Sequence, residues 1–240
     1  MYFVGDTHSI RPIFELIDKY KLESQNLIHV GDLGLGFQEV SRDLKNLALL
    51  EEALNETGNN LYVIRGNHDN PIFWDKNLHL PTYHNINLIP DHSTVRIENK
   101  VIYFAGGATS IDRRPRMAEH PPSWWKGEKF IYDEKYINRV LSKISNIDMV
   151  VTHSAPHFAY PQNDYVEIVN HYCDIESKHG QDLRTELRAE RADHTSLFQK
   201  IKDFGFTPSH WLYGHFHSSK KEIISGTEFK LLNVNELYKV

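Results

Sequence analysis

The chain has 240 residues, of which 40% are hydrophobic and 25% are charged, and its formal net charge is −5. This composition excludes a disordered chain and argues against a broad basic surface for duplex nucleic acid. A single cysteine, Cys173, excludes a disulfide within this chain and a cysteine-rich zinc site. Histidine is frequent, with 15 copies against 13 glycines. Because imidazole is the commonest metal ligand in proteins, the positions of these histidines must show whether the chain binds metal.

Short apolar segments, each followed by a sharp polar turn, recur along the chain. Continuous apolar runs of this length predict strands that are buried on both faces of a sheet. They cover residues 2–4, 27–30, 61–64, 101–105, 149–151 and 211–213. Apolar residues at helical spacing predict helices between several of these strands. The predicted helices cover residues 10–21, 38–57, 133–144 and 195–204.

Two predicted hairpins break the alternation of strands and helices. They pair residues 94–98 with 101–105 and residues 222–224 with 228–232. The chain is therefore expected to be an α/β protein with mixed sheets, in a single domain that covers residues 1–240. Two polar segments, at about residues 110–129 and 156–193, are expected to be irregular insertions, and long irregular segments in compact domains are often functional.

Nothing in the sequence indicates a membrane segment. No apolar run approaches the ~18 residues that a membrane-spanning helix needs. The first residues lack the basic and then apolar pattern of a signal peptide. We therefore expect a cytoplasmic protein without a membrane partner. The sequence leaves the oligomeric state open.

Polar side chains with the chemistry of metal ligands follow directly after most of the predicted strands. In open α/β sheets, ligands bind beyond the carboxyl ends of the strands. The residues at these positions are Asp6, His8, Asp32, Asn67, His68, His153, His215 and His217. Without His68, the set contains two carboxylates, one amide and four imidazoles. This mixture suits Mn²⁺, Fe²⁺, Zn²⁺ or Ni²⁺ better than Ca²⁺, and seven ligands are enough for two ions that share an aspartate.

The order of these residues resembles the five sequence blocks of the calcineurin-like metallophosphoesterase superfamily. The matching blocks are Gly5-Asp6-Thr7-His8, Gly31-Asp32, Gly66-Asn67-His68-Asp69, Thr152-His153 and Gly214-His215-Phe216-His217. Any single block is a weak signal, but five in the right order are specific. The resemblance covers nearly the whole chain. It implies a four-layer αββα sandwich, in which two mixed β-sheets face each other and helices flank them on both sides.

The resemblance also implies a role for each matching residue. One ion would be held by Asp6, His8 and His217, and the other by Asn67, His153 and His215. Asp32 would bridge the two divalent ions, for which Mn²⁺ is the first choice and Fe, Zn and Ni are alternatives. Such a pair can hold a bridging hydroxide as the nucleophile and polarise a phosphoryl group. His68 would then be the general acid for the leaving oxygen or a donor to a phosphate oxygen.

One position departs from the pattern of the protein serine/threonine phosphatases in this superfamily. They carry a second aspartate three residues after the bridging one, where it supports the catalytic histidine, and this chain has Leu35 there. The departure argues against that substrate class. Asp69 is expected to orient the local turn, and His29 to be a satisfied core residue. Arg65 is expected either to pair structurally or to contact phosphate.

A second, narrower similarity concerns the segment from Gly106 to Arg113 together with Ser123-Trp124-Trp125. It resembles a branch of small bacterial and phage metallophosphoesterases. Arg113 and Arg116 follow a strand end, where guanidinium groups suit phosphate oxygens. Trp125 has the chemistry to stack on a base or to cover the site. This loop is therefore expected to select the substrate, and Arg113→Ala and Trp125→Ala are expected to raise KM. The alternatives are that the arginines form a solvated face of the loop and that the tryptophans only pack.

The sequence thus predicts a dinuclear metal-dependent phosphoesterase that hydrolyses a phosphomonoester or a small phosphodiester. The enzymatic alternative is a nuclease for short or single-stranded nucleic acid, because aromatic stacking needs little net charge. Extended duplex nucleic acid is not expected as a partner. The other alternative is a non-catalytic scaffold with the same fold, as in the retromer subunit of this superfamily. It ranks low because none of the expected ligands is missing.

Overall fold

The computed structural model describes residues 1–75, 80–120, 122–161 and 166–240. Residues 121 and 162–165 of the two polar segments lie outside the described residues. Eleven strands occur in the described part of the chain. They are β1 Tyr2–Val4, β2 Asn26–His29, β3 Asn60–Val63, β4 Ile86–Leu88, β5 Ser93–Ile97, β6 Lys100–Ala105, β7 Met149–Thr152, β8 His210–Tyr213, β9 Lys220–Ile224, β10 Thr227–Leu231 and β11 Leu237–Lys239.

The α-helices alternate with the strands along much of the chain. They are α1 Arg11–Tyr20, α2 Val40–Thr57, α3 Arg113–Met117, α4 Glu134–Leu141, α5 Val166–Ser177 and α6 Leu183–Asp203. Two short 3₁₀ helices cover Pro71–Trp74 and His157–Ala159. The helix ends follow ordinary capping chemistry: the carboxylates of Asp133 and Asp182 accept backbone N–H bonds at the starts of α4 and α6. Gly58 ends α2 in the left-handed conformation.

The strands form two mixed sheets. The first has the order β11-β1-β2-β3-β4, in which β1 to β4 are parallel and β11 is antiparallel to β1. The second has the order β5-β6-β7-β8-β10-β9, with a parallel centre and an antiparallel hairpin at each edge. Parallel neighbours bring their carboxyl ends to the same edge of a sheet. That edge is where the predicted metal ligands follow the strands.

The core lies in three apolar clusters that separate four layers. Side chains from both sheets, including Phe3 and Ile28 of the first and Phe104 of the second, pack together between the sheets. A second cluster joins the outer face of the first sheet to α1 and α2. A third joins the outer face of the second sheet to α4 and α6. Because successive side chains of a strand point to opposite faces, each central strand contributes to two clusters. The predicted four-layer sandwich is confirmed.

The prediction that residues 156–193 form an irregular insertion is wrong for most of that segment. Helix α5 and the first half of α6 occupy it, and α6 begins twelve residues before the predicted start at residue 195. The two helices pack through Cys173, Leu183 and Leu187, a small apolar cluster of their own. The sequence does carry helical patterns here, since Arg184, Arg188 and Arg191 stand at helical spacing within α6 and α5 has more apolar than charged residues.

In the described part of the chain, no helix combines the length and the hydrophobicity that a membrane span requires.

Candidate metal centre

The carboxyl ends of strands from both sheets bring the predicted ligands together. Ligand atoms of Asp6, His8, Asp32 and His217 all lie within 4.8 Å of one another. Ligand atoms of Asp32, His153 and His215 form a second group within the same limit. Asp32 belongs to both groups, as expected for a carboxylate that two ions share.

Asn67 completes the second group. Its Oδ1 lies 3.0 Å from Nε2 of His153 and 2.8 Å from Nδ1 of His215. In the first group, Nε2 of His8 lies 3.1 Å from Nε2 of His217, which in turn lies 3.5 Å from Oδ2 of Asp6. All seven predicted ligands therefore converge in two adjacent sets.

The two carboxylates have the burial and the free oxygens that suit ligands of a divalent cation. Asp6 and Asp32 are 0% and 1% exposed. Each has one oxygen that accepts a backbone N–H, from His215 to Asp6 Oδ2 at 2.8 Å and from His68 to Asp32 Oδ1 at 2.7 Å. The other oxygen of each is buried without a hydrogen-bond partner among the described residues. An unpartnered buried carboxylate oxygen is costly, and a bound cation removes that cost.

The backbone around the site is strained and tightly packed. His8, Asp32, His215 and His217 all have positive φ, between 44° and 70°. Residues other than glycine seldom adopt this region, and such strain is concentrated at functional sites. Glycines lie directly against the carboxylates, since a Cβ at Gly66 would collide with Asp32 and a Cβ at Gly214 with Asp6.

Hydrogen bonds orient His153 toward the site. Its Nδ1 donates to the carbonyl oxygen of Val30 at 2.8 Å, which leaves Nε2 facing Asp32 and Asn67. Metal-binding histidines commonly donate the N–H of their second ring nitrogen in this way, which fixes the tautomer and the ring orientation.

Burial and neighbouring charges shift the pKa values of the cluster in opposite directions. Burial, together with the charge of Asp32, raises the pKa of Asp6 to about 8. Burial would also raise the pKa of Asp32, but His153 and His68 outweigh it and hold that pKa well below its usual range. Burial likewise opposes the charge on His153, yet Asp32 and Asp6 raise its pKa to about 10. Without a metal ion, protonated His153 is thus the positive partner of Asp32, and a divalent cation bound here would take the place of that proton.

Burial dominates the pKa values of two other ligands, His215 and His217. It lowers the pKa of His215 well below its ordinary value and also lowers the pKa of His217. Both rings are therefore neutral near pH 7. A metal ligand must offer a free nitrogen lone pair, so the neutral form is the one that the site needs.

Asp69 braces the two loops that carry Asp32 and Asn67. Its Oδ2 accepts N–H bonds from Leu33 and Gly66, at 3.2 and 2.8 Å. Its Oδ1 accepts N–H bonds from Gly34 and Leu35, at 2.8 and 3.0 Å. As the sequence suggested, this carboxylate orients the local turn.

A buried polar network fixes the amide of Asn67. Its Nδ2 donates to Oγ of Ser110 at 2.9 Å, and this hydroxyl donates to Oε2 of Glu128 at 2.7 Å. Arg116 donates to the same hydroxyl at 2.6 Å and to the carbonyl oxygen of Asn67 at 3.0 Å. Because Nδ2 is held by Ser110, Oδ1 must face His153 and His215.

The Ser110→Ala variant is therefore expected to weaken binding of the second divalent ion by about 10–100-fold, as loss of a partner behind a ligand commonly does. A calorimetric titration with Mn²⁺ measures this affinity directly. The Ser93→Ala variant is the matched control, because the Ser93 hydroxyl bonds the carbonyl oxygen of Pro90 at an exposed position. Equal Mn²⁺ affinity in Ser110→Ala and the unmodified protein would contradict the role given to this hydroxyl.

The ring of His68 lies beside the first ligand group. It stacks on Phe37, with ring centroids 5.5 Å apart, and meets His8 edge-on at 4.9 Å. Burial lowers its pKa to about 4, with Asp32 opposing and Arg116 adding to the effect. Leu35, which stands where protein phosphatases carry the supporting aspartate, is buried in the core. Asp112 lines the same cavity as His68, together with Asp32 and Glu190.

The residues predicted to bind substrate lie in different surroundings. Arg113 is buried and paired with Glu176 and Glu186, at N–O distances of 2.7 and 2.8 Å. Arg116 is buried in the network behind Asn67. Trp125 is half-buried, and its ring meets Phe37 at 5.9 Å. The structure thus brings Trp125 next to the aromatic neighbour of His68, whereas both guanidinium groups are occupied by protein acceptors.

Two further residues from the sequence analysis have structural partners. Arg65 donates to Asp91 at 2.7 Å and to the carbonyl oxygens of residues 127–129. This arrangement matches the structural alternative for Arg65. His29 is fully buried, contacts the Thr7 hydroxyl at 3.0 Å and accepts the N–H of Gly31.

Several further residues support the site, although the sequence assigned them no role. Ser110 and Glu128 hold Asn67, and Glu190 of α6 accepts bonds from the N–H of Thr109 and the hydroxyl of Ser154. Glu190 therefore ties α6 to the loop that follows His153. Ser110 lies within the Gly106–Arg113 similarity, whereas no motif marks Glu128 and Glu190, since each acts on a partner 18 or more positions away.

Several solved structures are similar to this chain. One is a Staphylococcus aureus protein assigned as a 5′-nucleotidase, with a TM-score of 0.46 and 13% identity over 98% of this chain and 48% of that one. This chain thus spans about half the length of that protein. A second is an archaeal phosphodiesterase, with a TM-score of 0.35 and 13% identity over 98% and 84% of the two chains. A third is a phosphopantetheinyl hydrolase from Mycobacterium tuberculosis, with a TM-score of 0.41 and 12% identity over 97% and 89%.

A search of curated proteins found no match. The sequence model of one protein family, described as calcineurin-like phosphoesterase, matches residues 1–219. This range spans every predicted ligand, from Asp6 to His217. The chain therefore belongs to the calcineurin-like phosphoesterase family.

Proposed function

We propose that this metal-dependent phosphoesterase hydrolyses a phosphomonoester or a small phosphodiester at a dinuclear centre. The observation that carries the proposal is the position of Asp32, whose carboxylate belongs to both ligand groups and has one unpartnered buried oxygen. Two divalent ions at these ligands would neutralise the phosphate charge, polarise the phosphoryl group and activate water for in-line attack. Mn²⁺ is the proposed metal for the first tests, with Fe, Zn and Ni as alternatives.

The protein's own residues have separate tasks in this proposal. Asp6, His8 and His217 hold one ion, and Asn67, His153 and His215 hold the other. Asp69 and Ser110 keep the ligand loops in place. His68 is neutral near pH 7, so we assign it as an N–H donor to a phosphate oxygen or to the leaving oxygen.

The direct test combines metal analysis with two chromogenic substrates. The protein is expected to bind two Mn²⁺ per chain and to hydrolyse p-nitrophenyl phosphate, bis-p-nitrophenyl phosphate or both. The ratio of the two rates gives the preference for monoesters or diesters. Two bound Mn²⁺ without turnover of either compound would contradict the proposal and favour a non-catalytic scaffold.

The His68→Ala variant is expected to lower kcat by roughly 10²–10³-fold, the usual cost of losing one donor to developing negative charge. Mn²⁺ stoichiometry should stay at the unmodified value, because His68 is outside both ligand groups. Comparing p-nitrophenyl phosphate with phenyl phosphate identifies the recipient of the hydrogen bond. A larger loss with phenyl phosphate, the poorer leaving group, indicates proton donation to the leaving oxygen. An unchanged kcat for both substrates would contradict any role for His68.

A further inference from the structure

A cavity of about 220 Å³ opens beside the candidate metal ligands. Asp32, Asn67 and His215 contribute to its lining. Much of the remaining lining is apolar or aromatic, from Ile111, Tyr160, Val169, Tyr172, Leu187 and Phe216. Small-molecule sites typically combine such a lining with a few polar anchors. The candidate metal centre therefore occupies the polar part of a cavity with largely apolar walls.

One wall of the cavity runs outward from the ligands as a series of ring contacts. The ring of His215 meets Phe216 at 4.9 Å, and Phe216 meets Tyr160 edge-on at 5.1 Å. The guanidinium of Arg191 lies 3.6 Å over the Tyr160 ring. Each ring is held by the next, so this wall presents fixed aromatic surface from the ligands to Arg191.

A second wall comes from α5 and α6, in the segment expected to be irregular, and it adjoins the first wall because Leu187 and Arg191 lie one turn apart on α6. Val169 and Tyr172 of α5, together with Ile111, pack against the buried cluster that contains Leu187 of α6. The ion pairs of Arg113 with Glu176 and Glu186 connect α3 to α5 and α6. This wall is therefore anchored to the rest of the fold by both apolar and charged contacts.

We infer that the substrate is a small phosphoester whose organic group is apolar and binds against the apolar lining of these two walls. The inference rests on the proposed function, because the phosphate must lie at the metal ligands for the organic group to reach the walls. Removing an apolar group from water between rigid apolar surfaces favours binding in proportion to the area buried.

Binding of two phosphonates to the Mn²⁺-loaded protein tests the inference without any turnover. Methylphosphonate and benzylphosphonate carry the same anionic group on a stable carbon–phosphorus bond and differ in the apolar group. Calorimetry is expected to show benzylphosphonate binding at least about tenfold more tightly. Equal dissociation constants would overturn the inference and leave the proposed hydrolysis intact. If the protein binds benzylphosphonate more tightly than methylphosphonate but hydrolyses no ester, only the proposed function is contradicted.

Variants of each wall show which residues cause the tighter binding of benzylphosphonate. Tyr160→Ala removes aromatic surface from the first wall, and Val169→Trp fills space beside the second. Both are expected to reduce the ratio of the two dissociation constants toward one. The matched control is Tyr20→Ala, because Tyr20 is an exposed tyrosine at the end of α1, and it should keep the full ratio. An unchanged ratio in both wall variants would overturn the inference.

Discussion

The Asp32→Asn variant is expected to lose activity by roughly 10³-fold or more, which corresponds to about 4 kcal/mol of transition-state stabilisation. Asn keeps the shape of the side chain and an oxygen that can accept the N–H of His68. It removes the negative charge that both ligand groups share. Loss of a residue that only orients a metal ligand already lowers metal affinity or activity about 10–100-fold, and loss of a shared ligand should lower activity further. The measurement is kcat/KM with p-nitrophenyl phosphate at saturating Mn²⁺.

The control for this variant is Asp148→Asn. Asp148 is a half-buried aspartate that accepts the N–H of Val101 at 2.7 Å, outside both ligand groups. It should retain the activity of the unmodified protein. Activity of Asp32→Asn within tenfold of the unmodified protein would show that the shared carboxylate is not central to the reaction.

The Arg113→Ala variant is expected to lower the free energy of unfolding by about 3 kcal/mol, since removing one member of a buried ion pair leaves the other charge uncompensated. Arg113 joins α3 to Glu176 of α5 and Glu186 of α6. Glu176 is 1% exposed and keeps a second partner, Arg114, so the expected loss is near the lower end of the usual range. In a chain of this length the loss lowers Tm by roughly 6–12 °C.

An exposed pair supplies the comparison for Arg113. Arg11 lies 2.8 Å from Glu15, but both side chains are more than half exposed. Arg11→Ala should therefore change the stability by less than about 1 kcal/mol. An unchanged Tm of Arg113→Ala together with a raised KM would reverse the assignment and support direct contact with phosphate, as the sequence alone suggested.

Much of the candidate site could be predicted because its residues occupy strand ends. Asp6, Asp32 and His153 each follow a short apolar run, and such runs differ from the observed strands by about one residue. Parallel neighbours then place these ends at one edge, so the sequence order already brings the ligands together. The orienting role of Asp69 was predicted in the same way, because Asp69 lies in the turn that follows a strand.

The roles of Arg113 and Arg116 could not be predicted because their partners come from distant segments. Arg113 contacts Glu176 and Glu186, which lie 63 and 73 positions along the chain. In the sequence, the positions of Arg113 and Arg116 after a strand end indicated binding of phosphate oxygens. Whether a guanidinium faces a substrate or a buried carboxylate depends on how α3 packs against α5 and α6, and no local pattern shows that packing.

Short edge strands were missed for a different reason. β4 and β11 have only three residues each and lie at the two edges of the first sheet. Neither segment shows enough alternation to be distinguished from a loop. They pair because β3 and β1 offer an open edge, which is a property of the assembled sheet.

The most direct test of the central claim is the location of Mn²⁺ in crystals of the metal-loaded protein, measured by anomalous scattering. Two peaks about 3.5–4 Å apart are expected, as in other two-metal sites, with Asp32 between them. Asp6, His8 and His217 should contact one ion, and Asn67, His153 and His215 the other. A single peak, or two peaks that do not share Asp32, would contradict the dinuclear centre.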